Sequence, residues 1–196
     1  MKTLKNLFIL SFIFLALSSC NTNDDQFYNI QYTAIPNLVQ IETKPSYAVN
    51  DYIYVNATLN RLQNEAGQTT LLDLRKSTGN ANSFNFTYLL EKRINASDWQ
   101  IVSSTPTNTI TTTGRFFSGD FYGAFADFDT VADAYKFRTG LKLESAGEYR
   151  ISFGYNSSST NSVELLSESQ GTNLFLSINS LLNNLNGSGF YVFTVN

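Results

Sequence analysis

The sequence predicts an all-β fold, an antiparallel sandwich of two sheets with one short helix near the C-terminus. Three observations carry this. Apolar residues recur at every second position in segments rich in Tyr, Phe, Val, Ile and Thr, the period of a half-buried strand. Between them lie stretches crowded with turn-forming residues, such as "KSTGNANS" and "SSTPTNT". No Pro/Gly-rich linker interrupts residues 35–196, a length that suits one domain with its own core.

The elements follow in order. "DYIYVNATLN" places Ile53, Val55, Ala57 and Leu59 on one face and Tyr52, Tyr54, Asn56 and Thr58 on the other. "SFNFTYLLEKR" aligns Phe84, Phe86, Tyr88 and Leu90, and "WQIVS" follows around Trp99 and Ile101. "YKFRTGLKLE" groups Tyr135, Phe137, Leu141 and Leu143; "EYRISFGY" groups Tyr149, Ile151, Phe153 and Tyr155; "GFYVFTVN" supplies a last strand. Further turns are expected at "NEAGQ" and "NSSSTNS". One segment breaks the pattern. "INSLLNNLNG" sets Ile178, Leu181, Leu182 and Leu185 at helical spacing, with Ser177 as N-cap and Gly187 as a stop, and predicts a short helix across one end of the sandwich.

The N-terminus carries a separate message. Lys2 and Lys5 precede the apolar run "LFILSFIFLAL", which is too short for a membrane span of about 20 residues but fits a secretory signal. Small residues then lead into Cys20, the only cysteine. Leu17-Ser18-Ser19-Cys20 resembles the lipobox of bacterial lipoproteins at all four positions. The resemblance implies cleavage before Cys20, a diacylglyceryl thioether on its sulfur and acylation (palmitate) of the freed amine. A thiolate is nucleophilic enough for that bond, and two or more acyl chains anchor durably, at about 0.8 kcal/mol per buried methylene. An ordinary signal peptide with an incidental cysteine is one alternative, and an uncleaved single-span anchor, disfavoured by the short apolar run, is the other.

The expected organisation is a signal peptide at 1–19, a lipidated N-terminus and tether at 20–34, and a β-domain at 35–196. Asn21 is not the aspartate of inner-membrane retention, so the resemblance implies the outer membrane. Asp24-Asp25 is similar to a short export signal and favours surface display over the periplasmic face.

Composition removes several function classes. The chain holds 13 basic and 16 acidic residues; loss of Lys2 and Lys5 leaves 11 against 16, a net charge of −5. That balance argues against nucleic acid, whose phosphates need clustered Lys and Arg. With no histidine, Ser-His-Asp and Cys-His nucleophile systems and histidine metal sites are excluded, and no cofactor is expected. Five N-x-[ST] triplets, at Asn56, Asn85, Asn95, Asn156 and Asn186, need no explanation beyond an Asn/Ser/Thr-rich composition.

Part of the chain also resembles an immunoglobulin-like domain. "PSYAVNDYIYVNATL" is similar to the turn and second strand of such domains, and "LKLESAGEYRISFG" to the hairpin before the sixth. Ser145-Ala146-Gly147-Glu148-Tyr149 stands where the family has Asp-x-Gly-x-Tyr, which implies that Tyr149 forms a tyrosine corner. Serine replaces the aspartate, and Ile151 occupies the usual cysteine position.

The candidate site is "RFFSGDFYGAFADFDTVAD". It concentrates Phe116, Phe117, Phe121, Tyr122, Phe125 and Phe128 among aspartates, and flat rings with hydrogen-bonding carboxylates suit a glycan-binding face. Phe121, Tyr122, Phe125, Asp127 and Asp129 are the candidate ligand-binding residues. The same pattern describes a strand pair whose rings fill the core. Asp127, Asp129 and Asp133 invite a calcium reading, but the segment lacks the glycine of an EF-hand loop, and no metal site is assigned. Glu91, Asp98, Asp120, Glu144 and Glu148 are available as acid–base pairs, and spacing singles out none. The expected role is a non-catalytic binding or accessory module for a glycan or an envelope protein. A carboxylate-dependent hydrolase and a structural subunit of an envelope complex are the alternatives.

Overall fold

The computed structural model describes residues 29–153, 160–169, 171 and 173–196. Cys20, Tyr155 and Asn156 lie outside the described residues. Among the described residues fifteen strands follow one another: β1 (Asn29–Ala34), β2 (Val39–Glu42), β3 (Tyr52–Asn60), β4 (Leu62–Gln63), β5 (Leu72–Asp73), β6 (Ser83–Arg93), β7 (Trp99–Ile101), β8 (Thr109–Thr113), β9 (Arg115–Ser118), β10 (Tyr122–Asp129), β11 (Ala134–Lys142), β12 (Gly147–Ser152), β13 (Ser162–Glu168), β14 (Leu174–Leu181) and β15 (Phe190–Val195). The described residues are nearly all β; the one helix, α1 (Leu74–Ser77), is a single turn capped by the Asp73 carboxylate, which accepts from the Arg75 and Lys76 amides.

The strands pair in the order β1-β14-β13-β6-β10-β11-β3-β2. β6 is long enough to serve two neighbourhoods. Ser83–Tyr88 pair with β10, whereas Leu89–Lys92 pair with β12, which in turn pairs with β15. The two ends of the path meet because β1 and β2 are one stretch of chain. The Ile35 and Asn37 amides donate to Asn179 and Leu181 carbonyls on one side, and the Thr58 amide donates to Leu38 on the other. The sheet therefore curls, and its apolar face closes on itself.

Why these residues choose strands is visible in the burial. Ile53, Val55, Ala57 and Leu59 are buried on β3, as are Phe84, Phe86, Tyr88 and Leu90 on β6 and Tyr135, Phe137 and Leu141 on β11. Their rings meet edge to face: Phe84 on Tyr135 at 4.9 Å, Phe86 on Phe137 at 5.4 Å, Tyr88 on Tyr122 at 5.2 Å. Each fully buried ring contributes about 1.5–3 kcal/mol from lost apolar exposure. Side chains from β3 and β11 on one side and β6, β12 and β15 on the other join in one core.

A glycine shapes the sheet where β10 and β11 part. They pair only at Asp127–Asp129, after which β9 lies against β10 and β8 against β11. Gly114 turns between β8 and β9 with φ +74°, and a Cβ there would stand 2.3 Å from the Phe125 carbonyl oxygen. Only glycine fits that fork.

Three expectations are corrected. The helix over 178–187 is not formed: Leu174–Leu181 is a strand held by β1 on one edge and β13 on the other. Leu176, Ile178 and Ser180 face inward at period two, and the Ser180 hydroxyl accepts the Leu38 amide. Two ladders outweigh a helix of some two turns, which is marginal without tertiary support. The tether over 20–34 overlaps the fold, since Asn29–Ala34 pair in parallel with Leu174–Asn179. The segment before β12 is a crossing and not a hairpin, because β11 pairs with β3 while β12 pairs with β6 and β15.

Candidate functional site

The aromatic segment forms the β9–β10 hairpin, and alternation sorts its rings by face. Tyr122, Ala124 and Ala126 point inward and are buried, with Phe116 and Phe128 half-buried against the same core. Gly123, Phe125 and Asp127 point outward beside Arg115 and Phe117 of β9. Phe117 is 56% exposed and meets Phe125 edge to face at 5.4 Å, interplanar angle 77°. A perpendicular pair offers the flat of one ring and the rim of the other. Gly123 keeps the floor beside Phe117 low, since it places no side chain there.

Charges border the rings. The Arg115 guanidinium donates to Asp127 at 3.0 and 3.1 Å and to Glu168 at 3.1 Å, and lies 4.7 Å from the Phe125 ring centre. Ser83 ties the cluster together, its hydroxyl donating to Glu168 at 2.6 Å and accepting from Arg115 at 3.1 Å. The Asp127 bond leads in raising the Arg115 pKa, and the Ser83 bond leads in lowering that of Glu168, with Arg115 adding to it. Both shifts favour the charged forms of Arg115 and Glu168, and the ion pairs fix the rim of the ring pair.

Register extends this face across six strands. Tyr32 of β1 pairs with Ser177, Ser177 with Leu166, Leu166 with Asn85, Asn85 with Phe125, and Phe125 with Arg115. Residues directly opposite in a ladder share a face, so all six lie on the outer side of the sheet, where Ser177 is nonetheless covered and buried. At the β1 end a groove of about 430 Å³ is lined by Tyr32, Thr33, Ala34, Glu164, Ser177 and Asn179. Tyr32 is 74% exposed, and the Ser177 hydroxyl donates to Glu164 at 2.5 Å.

The predicted site residues therefore divide. Phe121 and Phe125 are half-buried, and Asp127 belongs to the Arg115 cluster. Tyr122 is corrected to the core, its hydroxyl donating to the Val102 carbonyl. Asp129 caps the β10–β11 turn: it accepts from the Val131 and Ala132 amides and from Lys136, and the Ala132 bond leads in lowering its pKa. Asp133 pairs with Arg61, so the three aspartates do not converge on a cation. Among the described residues no group of three His, Cys, Asp or Glu side chains could hold a metal ion.

Register sets Glu91 and Glu148 on the paired strands β6 and β12, yet each is bound to an arginine and not to the other. Glu91 is clamped by Arg150, Glu148 by Arg93, Asp98 accepts from Asn95, and Glu144 faces Asn108. Sequence reasoning missed Tyr32, Glu164, Ser177 and Asn179, having placed Tyr32 in the tether and Ser177 and Asn179 at the start of a helix. Only the six-strand register brings them beside Phe125. No family model, curated protein or solved structure matches this chain.

Proposed function

We propose that this is a bacterial outer-membrane lipoprotein, anchored through acylated Cys20 and surface-exposed. Its β-domain is a non-catalytic binding module for a glycan. The observation that carries the binding role is the outward Phe117–Phe125 pair, seated beside Asn85 and rimmed by Arg115, Asp127 and Glu168. A ring that offers an apolar flat beside fixed donors and acceptors is what an amphipathic sugar needs.

An immunoglobulin-like core beneath this face is part of the proposal. Its support is the pairing order: β2-β3-β11-β8 runs as strands A-B-E-D of that fold, and β6-β12-β15 as C-F-G. Tyr149 adds to it, its hydroxyl donating to the Ser145 carbonyl at 2.8 Å at the crossing into β12. On this reading β9–β10 and β13–β14 are insertions that, with β1, build the binding face on a standard scaffold.

Two experiments test the proposal. The full chain in detergent, applied to a glycan array, binds a defined subset, and Phe117→Ala abolishes the signal; an array blank throughout overturns the glycan role and turns attention to an envelope-protein partner. Labelled palmitate fed to expressing cells marks the wild type and not Cys20→Ala; an unlabelled wild type overturns the anchor.

A further inference from the structure

Resting on the glycan-binding reading, we propose that the ligand is an uncharged, linear oligosaccharide lying across the strands, from the Phe117–Phe125 pair to Tyr32. The two aromatic ends belong to one face. The ladder Tyr32–Ser177–Leu166–Asn85–Phe125–Arg115 joins them without a change of side. Five strand spacings of about 4.8 Å separate β1 from β9, so the platform is roughly 24 Å long. A monosaccharide reaches one end only; a short chain of sugars reaches both.

The floor between the ends is mixed and carries no cation along the ladder, with Leu166 beside Asn85. Asn85 sits in the middle, and Ser177, Asn179 and Glu164 line the groove beside Tyr32. Hydroxyl groups of a sugar exchange hydrogen bonds with amides and carboxylates such as Asn85, Asn179 and Glu164, while the buried Ser177 hydroxyl holds Glu164 in place. Two cations border the rim, and both are engaged: Arg115 by Asp127 and Glu168, and Lys136, which pairs opposite Asp127, by Asp129. Asp127, Asp129, Glu164 and Glu168 set four carboxylates against these two cations, so uronic acids, sulfated sugars and sialylated sugars meet net repulsion. Tyr32 and Phe117 are the two most exposed rings here, and each leaves apolar area that a sugar face would cover.

Calorimetric titration of the full chain in detergent tests this. The probes are cello-, xylo- and manno-oligosaccharides from disaccharide to hexasaccharide, with an oligogalacturonide ladder beside them. Affinity for at least one neutral ladder should rise with length, and the charged ladder should bind more weakly at equal length. Tyr32→Ala should cost about tenfold for the hexasaccharide and nothing for the disaccharide, while Tyr32→Phe restores the wild-type value. Phe117→Ala should weaken every length. Tyr32 is exposed, so its loss leaves folding intact, and unfolding in urea checks that. Affinity independent of length, a Tyr32→Ala loss equal at all lengths or absent, or preference for the galacturonides overturns this inference while glycan binding stands. Failure of every ladder together with a blank array overturns both.

Discussion

The ring of Tyr54 lies over Gly140, its partner on the neighbouring strand. A Cβ on Gly140 would fall 2.4 Å from the ring, so the glycine exists to let the tyrosine lie flat. Arg138 completes the stack, its guanidinium 3.8 Å from the ring centre and held by Glu42 at 2.7 and 2.8 Å. Gly140→Ala should destabilise by about 1–3 kcal/mol, the cost of overpacking a fitted contact. In a Tyr54→Ala background the same change should cost less, because the clash has gone. Urea midpoints of the four proteins check this; equal costs in both backgrounds would reject the contact.

The Glu42–Arg138 pair and the Ser83–Glu168–Arg115 cluster make stability depend on pH. Both Glu42 and Glu168 have carboxyl pKa values below the usual 4.5, led by the Arg138 bond at Glu42 and the Ser83 bond at Glu168. A carboxyl held low binds its proton less readily folded than unfolded. Its contribution is therefore complete above about pH 4.5 and is lost as pH falls through the lower folded value. Both side chains are more than a third exposed, so each effect is modest and screened by salt. Urea unfolding from pH 7 down to about pH 3 should show stability falling on the acid side. Glu42→Gln and Glu168→Gln together should flatten that fall; an unchanged slope would rule out these two groups as its source.

Tyr149 closes the crossing from β11 to β12. Its hydroxyl donates to the Ser145 carbonyl at 2.8 Å, while its ring stacks on Phe193 at 5.6 Å. Tyr149→Phe keeps the stack and removes the bond, leaving a carbonyl with one partner fewer. The expected loss is about 1 kcal/mol in urea unfolding with an unchanged m-value. A loss below a few tenths would show that the crossing is held by packing alone.

Much of the scaffold was legible because strands β3, β6, β11 and β12 are half-buried, and half-burial writes period two into the sequence. β1 was not legible: five of its six residues are exposed, so no apolar rhythm separates it from a tether. β14 was misread because Ile178, Leu181, Leu182 and Leu185 mimic a helical stripe, whereas Leu181 is in fact exposed and Ser180 buried. The ring-rich half of the site was visible as composition. Its other half depends on which strands become neighbours, and parallel pairing of residue 32 with residue 177 leaves no local trace.

Two core tyrosines differ in what their hydroxyls touch. Tyr135 donates to the Ala81 carbonyl at 2.9 Å, whereas the Tyr88 hydroxyl is fully buried among rings with no hydrogen-bond partner. Burial raises both phenol pKa values, that of Tyr135 to about 12 and that of Tyr88 well above the usual 10. Replacing each by Phe removes one oxygen and little volume, so the pair isolates the hydrogen bond. Tyr135→Phe should lose about 1 kcal/mol, because Ala81 then keeps a buried carbonyl with a missing donor. Tyr88→Phe should be neutral or stabilising by up to about 1 kcal/mol, since it relieves a buried polar group that gains nothing. The same logic reaches alkaline pH: a phenol that ionises more easily unfolded than folded costs stability as pH rises above about 10. Tyr88→Phe should therefore also soften the alkaline fall in unfolding free energy. Destabilisation of Tyr88→Phe equal to that of Tyr135→Phe would mean that its hydroxyl has a partner after all, an ordered water being the natural one.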